Sequence, residues 1–275
     1  MSMILTLQTG EHEIIAITDG GTEFDHEVFP DTDAAHIDNL LARANAQQIT
    51  TNFNAFVVKS PNRTLLVDAG PRALFGPDCG KLPQGLAEAG VAPDDITHLM
   101  LTHLHPDHIA GTVTPDNAPV FNNATVLINQ DELAFWSREQ AFDVQMMEDW
   151  RQLAQAVVAA YGDQVQTFAW DADLGSGVSA ISLPGHTPGH CGFRVDDGNA
   201  SFIMATDIVH APVLQLADPE IAVAFDIDAE QVRKSRKKTL AMIASEQLIF
   251  SGGHMVEPKI ATLSVTGDGY TAEAI

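Results

Sequence analysis

The apolar-rich stretches 3–9 and 12–18 predict two short strands joined at Gly10-Glu11. Asp19-Gly20-Gly21 is expected to end the second strand. Over 33–46 the pattern changes. Ile37, Leu40, Leu41 and Ala44 recur at helical spacing and predict a helix with one apolar face. Phe53 to Val58 and Arg63 to Val67 predict a hairpin around Ser60-Pro61-Asn62, and its second strand stops at Asp68-Ala69-Gly70-Pro71. A short helix over Leu82 to Ala89 closes at Gly90. Ile96 to Thr102 then reads as a buried strand that runs straight into a group of histidines.

The second half repeats this grammar. A strand is expected over Ala124 to Ile128, a helix from Gln130, and a longer helix over Val144 to Tyr161 closed by Gly162. Strands follow near 178–183, 192–195 and 201–205, then a helix over 229–244 and a late strand over 248–251. Residues 261–266 and 269–273 alternate like edge strands. Helices and strands are interspersed, with no linker or low-complexity stretch, so the class is α/β or α+β. One domain over 1–275 with two similar halves fits the pattern best.

Composition narrows the partners. The chain has 275 residues and a formal net charge of −23. So acidic a surface repels phosphate backbones and anionic bilayers, so neither nucleic acid nor membrane is expected as a partner. No apolar run approaches a membrane span, and Met1 to Leu7 lacks the basic start of a signal peptide. Cys79 and Cys191 form no disulfide framework. A cytoplasmic protein is the expectation. The segment 233–238 holds five of the 14 basic residues and is expected to be a solvated helix face.

Eleven histidines are unevenly spread, and His103-Leu104-His105-Pro106-Asp107-His108 carries most of the chemical information. At the end of an extended segment, residues two apart point the same way, so His103 and His105 can hold one ion together. Pro106 bends the chain, and Asp107 and His108 then reach in a new direction toward a second ion. Imidazole and carboxylate donors without thiolate suit zinc, manganese, iron or cobalt. Further ligands are expected at later strand ends. His186, Asp207 and His254 stand there, with Gly185, Gly189, Gly252 and Gly253 allowing close approach.

This order of motifs resembles the metallo-β-lactamase superfamily, from Val57 to His254 and including Val67-Asp68-Ala69-Gly70. The resemblance implies a four-layer αββα sandwich. It also implies two divalent metal ions, zinc foremost, with manganese, iron or cobalt as alternatives. The first would take His103, His105 and His186. The second would take Asp107, His108 and His254, with Asp207 bridging and Asp68 steadying the first loop. Leu74-Phe75-Gly76-Pro77, Gly80-Lys81-Leu82, Gly185 to His190, Asp207 to His210, Gln215 to Pro219 and Phe225-Asp226 are similar to the methyl parathion hydrolase and lactonase-like group within it.

That likeness implies a hydrolase of small ester or lactone substrates, with phosphotriesterase activity as a further reaction of the group. Its metals would share a hydroxide at neutral pH, and Asp107 would orient it and carry a proton to the leaving group. His210 would touch substrate, and Phe75, Trp136 and Phe142 would line its pocket. His190 would be structural. The group also implies a homodimer, with the strands and helix of residues 1–50 as the contact. A β-lactamase, a thioesterase and a non-hydrolytic metal or redox domain share the fold. Asp207 opposes the first, because β-lactamases of this fold lack a bridging carboxylate. With roughly 20 residues after His254, the helical region of a glyoxalase II-type thioesterase is not expected. His105 stands where a diiron redox site usually has Glu. No G-x-S-x-G elbow is present for a serine hydrolase.

Overall fold

The computed structural model describes residues 2–196 and 201–275. The chain opens with β1 (Ile4–Thr9) and β2 (His12–Phe24), then α1 (Ala34–Arg43), β3 (Ile49–Ser60), β4 (Arg63–Val67), α2 (Leu82–Glu88) and β5 (His98–Leu101). A one-turn helix, α3 (Pro106–Ile109), leads to β6 (Thr125–Asn129), α4 (Gln130–Trp136), α5 (Gln145–Tyr161) and β7 (Val165–Phe168). The second half holds β8 (Asp173–Gly175), β9 (Val178–Ser182), β10 (Cys191–Asp196), β11 (Ser201–Met204), α6 (Pro212–Gln215), α7 (Ala229–Glu246), β12 (Ile249–Ser251), β13 (Ala261–Thr266) and β14 (Gly269–Ala274).

These strands form two seven-stranded sheets, β1 to β7 in chain order and β14 back to β8. The period-two pattern explains why they stack. In β2, Ile14 and Ala16 face the second sheet, while Ile15 and Ile17 face the helices. Between the sheets, Phe56 meets Phe193 and Phe202 with ring centroids 6.3 and 6.2 Å apart. On the outer face of the first sheet, Leu82 and Leu86 of α2 and Ala154 and Val157 of α5 cover Leu66, Leu99 and Val126. Leu240 and Ile243 of α7 cover Ile203 and Phe250 on the outer face of the second. The result is helix, sheet, sheet, helix. Strands β4 to β7 are parallel and the central ones are covered on both faces, which is why β4 to β6 read as continuous apolar runs.

Three local expectations differ. Strand β2 does not end at Asp19-Gly20-Gly21 but continues to Phe24, with a register shift between Thr18 and Gly20. The glycines serve close approach rather than a turn. A Cβ on Gly20 would lie 2.5 Å from the Asp78 carbonyl oxygen. Asp19 is buried there and accepts from the amides of Gly80 and Leu82. Of the two terminal strands only β14 is an edge, since β13 pairs on both sides. The basic segment is not wholly solvated either. Arg233, Lys234 and Lys237 make surface ion pairs with Asp31, Glu230 and Glu220. Arg236, by contrast, is fully buried and donates to the carbonyls of Ile208, Pro219 and Ile221. Among the described residues no helix is long and apolar enough to cross a membrane. Both cysteines are free and buried.

The loop after β5 is strapped to the end of β4. The Ala69 amide donates to the His108 carbonyl at 2.8 Å and the Gly111 amide to the Gly70 carbonyl at 2.9 Å. A Cβ on Gly111 would fall 1.8 Å from the Ala69 carbonyl oxygen, a backbone atom that cannot swing aside. Gly111→Ala is therefore expected to cost about 1–3 kcal/mol by overpacking, which at this chain length lowers Tm by roughly 2–4 °C per kcal/mol. Thermal unfolding of the variant beside the parent checks this, and an unchanged Tm contradicts it.

Candidate metal centre

Every sequence-predicted donor stands just beyond a strand end. His103 follows β5, His186 follows β9, Asp207 follows β11 and His254 follows β12. His105 precedes α3, whose first residue is Pro106, a favoured place for proline because its missing amide proton is not needed there. That turn of helix carries Asp107 and His108 in a direction different from His103 and His105. Thus the two sheets end in one set of loops, and seven side chains distant in sequence converge.

They converge as two groups. The ligand atoms of His103, His105 and His186 lie within 4.8 Å of one another, as do those of Asp107, His108, Asp207 and His254. Ring centroids in the first group are 4.5 to 4.9 Å apart. Asp207 joins the groups. Its Oδ2 lies 2.8 Å from His254 Nε2 and 3.2 Å from His108 Nε2. The same oxygen is 3.6 Å from His186 Nε2 and 3.7 Å from His103 Nε2.

In His103, His108, His186 and His254 the ring nitrogens facing away are tied down, which fixes those ring orientations. His186 Nδ1 meets Asp226 at 2.8 Å, His108 Nδ1 meets Asp68 at 2.8 Å and His254 Nδ1 meets the Asn52 carbonyl at 2.8 Å. These partners only accept, so Nδ1 carries the proton in each ring. Thr102 Oγ1 donates to Asp68 Oδ2, so it accepts from His103 Nδ1. Asp68 itself sits at φ 57°. It anchors His108 directly and His103 through Thr102. Orienting partners of this kind are typical of metal-binding imidazoles.

The remaining nitrogens test whether a cation fits. Nε2 of His103, His105 and His186, and Oδ1 of Asp207, are buried without a hydrogen-bond partner. Four orphaned polar atoms would be costly in a site with nothing to bind. An oxygen- and nitrogen-preferring divalent cation satisfies them, so the residues present fit divalent metal binding.

Electrostatics separates the groups. Burial, reinforced by neighbouring imidazoles, holds His103, His105 and His186 well below the usual histidine range, so all three are neutral donors. Burial would also lower His108 and His254, but Asp207 and Asp107 outweigh it and raise both. Against its own desolvation, Asp107 is held far down by His108 and His254, and Asp207 by His108, His254 and His103. His190 belongs to neither group functionally. Its Nδ1 donates to the Leu183 carbonyl, and its Nε2 receives the Asp207 amide and the Thr206 hydroxyl. Burial then lowers it to about 4, leaving no lone pair for an ion.

A narrow cleft opens onto these atoms, lined by Asp107, Asp207, His105, His186, His210 and His254 together with aromatic rings. Of the three predicted pocket aromatics only Phe75 lines it, 41% exposed. Trp136 is 1% exposed, packs edge-on against His105 from behind and donates its Nε1 proton to Glu132 at 2.7 Å. Phe142 packs on Phe135 and Trp136 under the Arg138 guanidinium. The wall is instead Phe24, Phe53, Trp150 and Phe225. Sequence reasoning missed those four as lining and missed the anchoring role of Asp226. The one available signal was the Phe225-Asp226 pair. His210 does reach the cleft. It stacks on His254 at 4.7 Å with Nε2 3.2 Å from Asp207, and its Nδ1 is buried without a partner.

Comparison with known proteins adds the following. The family described as Metallo-beta-lactamase superfamily matches residues 52–254. Ribonuclease Z of Mycobacterium sp. (strain KMS) is 31% identical over 166 residues, 54% of this chain and 56% of that protein. The chain thus spans about half the length of the curated relatives it matches. Among solved structures, AbOPH, a hydrolase in the β-lactamase superfamily, has a TM-score of 0.93 and 28% identity, covering 100% of this chain and 98% of that one. AidC, a dizinc quorum-quenching lactonase, has a TM-score of 0.90 and 24% identity, covering 100% and 99%, and that likeness is one of fold.

Proposed function

The chain belongs to the metallo-β-lactamase superfamily, and from that premise we propose that it is a dinuclear metal-dependent hydrolase of ester or lactone bonds, with phosphotriesters as a further substrate class. The observation that carries the reading is the set of orphaned buried atoms, three imidazole Nε2 that lie within 4.8 Å of one another and Asp207 Oδ1, with His105, His186 and Asp207 lining an open cleft. Bound there, two divalent cations would polarise a carbonyl or phosphoryl oxygen and bring the pKa of water from about 16 to about 7.

The chain's own groups have distinct tasks in this reading. Among the seven candidate ligands Asp107 is the one whose side chain is not closed off, at 15% exposure. Its carboxylate orients the attacking water and carries a proton to the leaving oxygen. The rings of Phe24, Phe53, Phe75, Trp150 and Phe225 hold an acyl or aryl portion and exclude water. His210 hydrogen-bonds the carbonyl or the leaving group. No serine, threonine or cysteine lines the cleft among the described residues, which favours water over a side chain as nucleophile. The match to a ribonuclease Z raises a nucleolytic alternative, but a net charge of −23 opposes a polyanionic substrate.

A hydrolysis panel on metal-loaded protein tests the proposal, with aryl esters, γ- and δ-lactones, acyl homoserine lactones, a phosphotriester, a cephalosporin and a structured RNA. Turnover of an ester or lactone, lost on chelation and regained with zinc, manganese or cobalt, is the expected result. Cleavage of RNA alone, or of nothing, overturns it. For the best substrate, His210→Ala is expected to lower kcat/KM about tenfold, the loss of one hydrogen bond of roughly 1.4 kcal/mol, with metal content unchanged. If kcat/KM stays level across the panel, His210 has no contact with substrate.

A further inference from the structure

Glu132 in α4 is fully buried, yet no lysine, arginine or histidine pairs with it among the described residues. Its two oxygens are nevertheless saturated. Oε1 accepts the Leu104 amide at 2.9 Å and the Trp136 indole N–H at 2.7 Å. Oε2 accepts the Thr187 hydroxyl at 2.5 Å and the Gly189 amide at 3.1 Å. Leu104 lies between His103 and His105, and Thr187 directly follows His186. One carboxylate therefore clamps together the two loops that supply all three histidines of the first group.

The packing around it was built for that clamp. A Cβ on Gly189 would lie 2.1 Å from the Glu132 amide nitrogen and 2.5 Å from its Cα, so only glycine lets the second loop reach the helix. Trp136, held by the same carboxylate, presses its ring on His105 with centroids 5.6 Å apart. The three histidines bring no negative charge of their own, whereas the second group has two carboxylates. Glu132 stands one peptide away from His103 and His105; burial raises its carboxyl above the usual range and its four donors oppose that rise.

We infer that Glu132 is a positioning residue for the three-histidine site, setting the spacing of His103, His105 and His186 and so the affinity of that site for a divalent cation. The inference rests on the reading of this group as a metal site. It predicts a selective defect, because among the described residues the hydrogen bonds of Glu132 go to Leu104, Trp136, Thr187 and Gly189 and to none of Asp107, His108, Asp207 and His254.

Glu132→Gln is the informative change. With its amide oxygen kept toward the Leu104 and Trp136 donors, its NH2 faces Thr187, whose hydroxyl can turn to accept, and the Gly189 N–H, which cannot. The clamp thus opens on the His186 side alone. Stripped protein is equilibrated with zinc at chelator-buffered free concentrations, and zinc per chain is read by elemental analysis. The parent is expected to fill two sites. The variant is expected to keep one at parental affinity and to need about 10- to 100-fold more free zinc for the other, with kcat recovering in excess zinc and KM little changed. Thr187→Val, which removes one donor and keeps the shape, should shift the same site in the same direction by less, and serves if Glu132→Gln does not fold. Two zinc ions bound by Glu132→Gln, or by Thr187→Val, as tightly as by the parent overturn the role of Glu132, even if Tm falls. A parent that binds no zinc overturns the metal-site reading itself, and this inference with it.

Discussion

Asp207→Ala is expected to reduce kcat/KM by about 10³-fold or more and to leave at most one tightly held metal ion per chain. The carboxylate lies within 4 Å of ring nitrogens from both groups. Its Oδ2 is 2.8 Å from His254 Nε2 and 3.2 Å from those of His108 and His210, while His186 and His103 stand at 3.6 and 3.7 Å. Among the described residues, alanine removes the one carboxylate within 4 Å of the Nε2 atoms of His103 and His186, and one of the two that face the Nε2 atoms of His108 and His254. Metal-site electrostatics of this kind contributes several kcal/mol to transition-state stabilisation, and about 4 kcal/mol corresponds to roughly 10³ in rate.

Two measurements separate the outcomes. Elemental analysis of the purified variant reads metal content, and steady-state hydrolysis of the best panel substrate reads activity. Asp207 is 1% exposed, so a folding check by near-UV circular dichroism belongs beside them. A folded variant with two tightly bound metals would show that Asp207 does not link the groups. A variant with one metal and parental activity would show that a single ion suffices.

What was legible in the sequence was local. His103, His105, Asp107 and His108 announce themselves because four donors sit within six residues after an apolar strand. His186, Asp207 and His254 could be found because each follows an apolar run and stands beside small residues. The layers were legible for the same reason, since the periods of two and of 3.6 are set by which faces are covered. Illegible features all depend on partners distant in the chain. Gly20 in close contact with Asp78 and a glycine in a turn look alike in sequence. Trp136 and Trp150 are both aromatic residues on amphipathic helices, and only packing decides which one faces the cleft. Arg236 sits in a run of surface cations and becomes buried because three carbonyls from the 208–221 segment converge on it. Glu132 resembles any acid in the first turn of a helix until its four donors, drawn from three separate stretches, are in place.

Asp68→Asn should leave the backbone intact while weakening the site, and its effect on activity should exceed its effect on stability. Asp68 holds φ at 57°, a region that asparagine tolerates better than most residues. The change is therefore chemical rather than steric. As a carboxylate Asp68 accepts three donors, the Thr102 amide at 2.9 Å, the Thr102 hydroxyl at 2.8 Å and His108 Nδ1 at 2.8 Å. Asparagine has one accepting oxygen and must turn its NH2 toward one of them. If the NH2 faces His108, Nδ1 has to become the acceptor and the proton moves to Nε2, the nitrogen aimed at Asp207. That tautomer cannot donate a lone pair to a cation. If the NH2 instead takes the place of Oδ1, it meets the Thr102 N–H, which cannot accept, so the backbone hydrogen bond one residue before His103 is lost and the orientation of His103 suffers instead. Either arrangement damages one group, and loss of such a partner costs about 10- to 100-fold in metal affinity or activity. The stability cost is one mismatched buried hydrogen bond, about 1–3 kcal/mol. Metal titration, kcat/KM and thermal unfolding of the same preparation decide it. A variant whose Tm falls while metal affinity and kcat/KM hold would make Asp68 a turn-stabilising residue with no part in orienting the imidazoles.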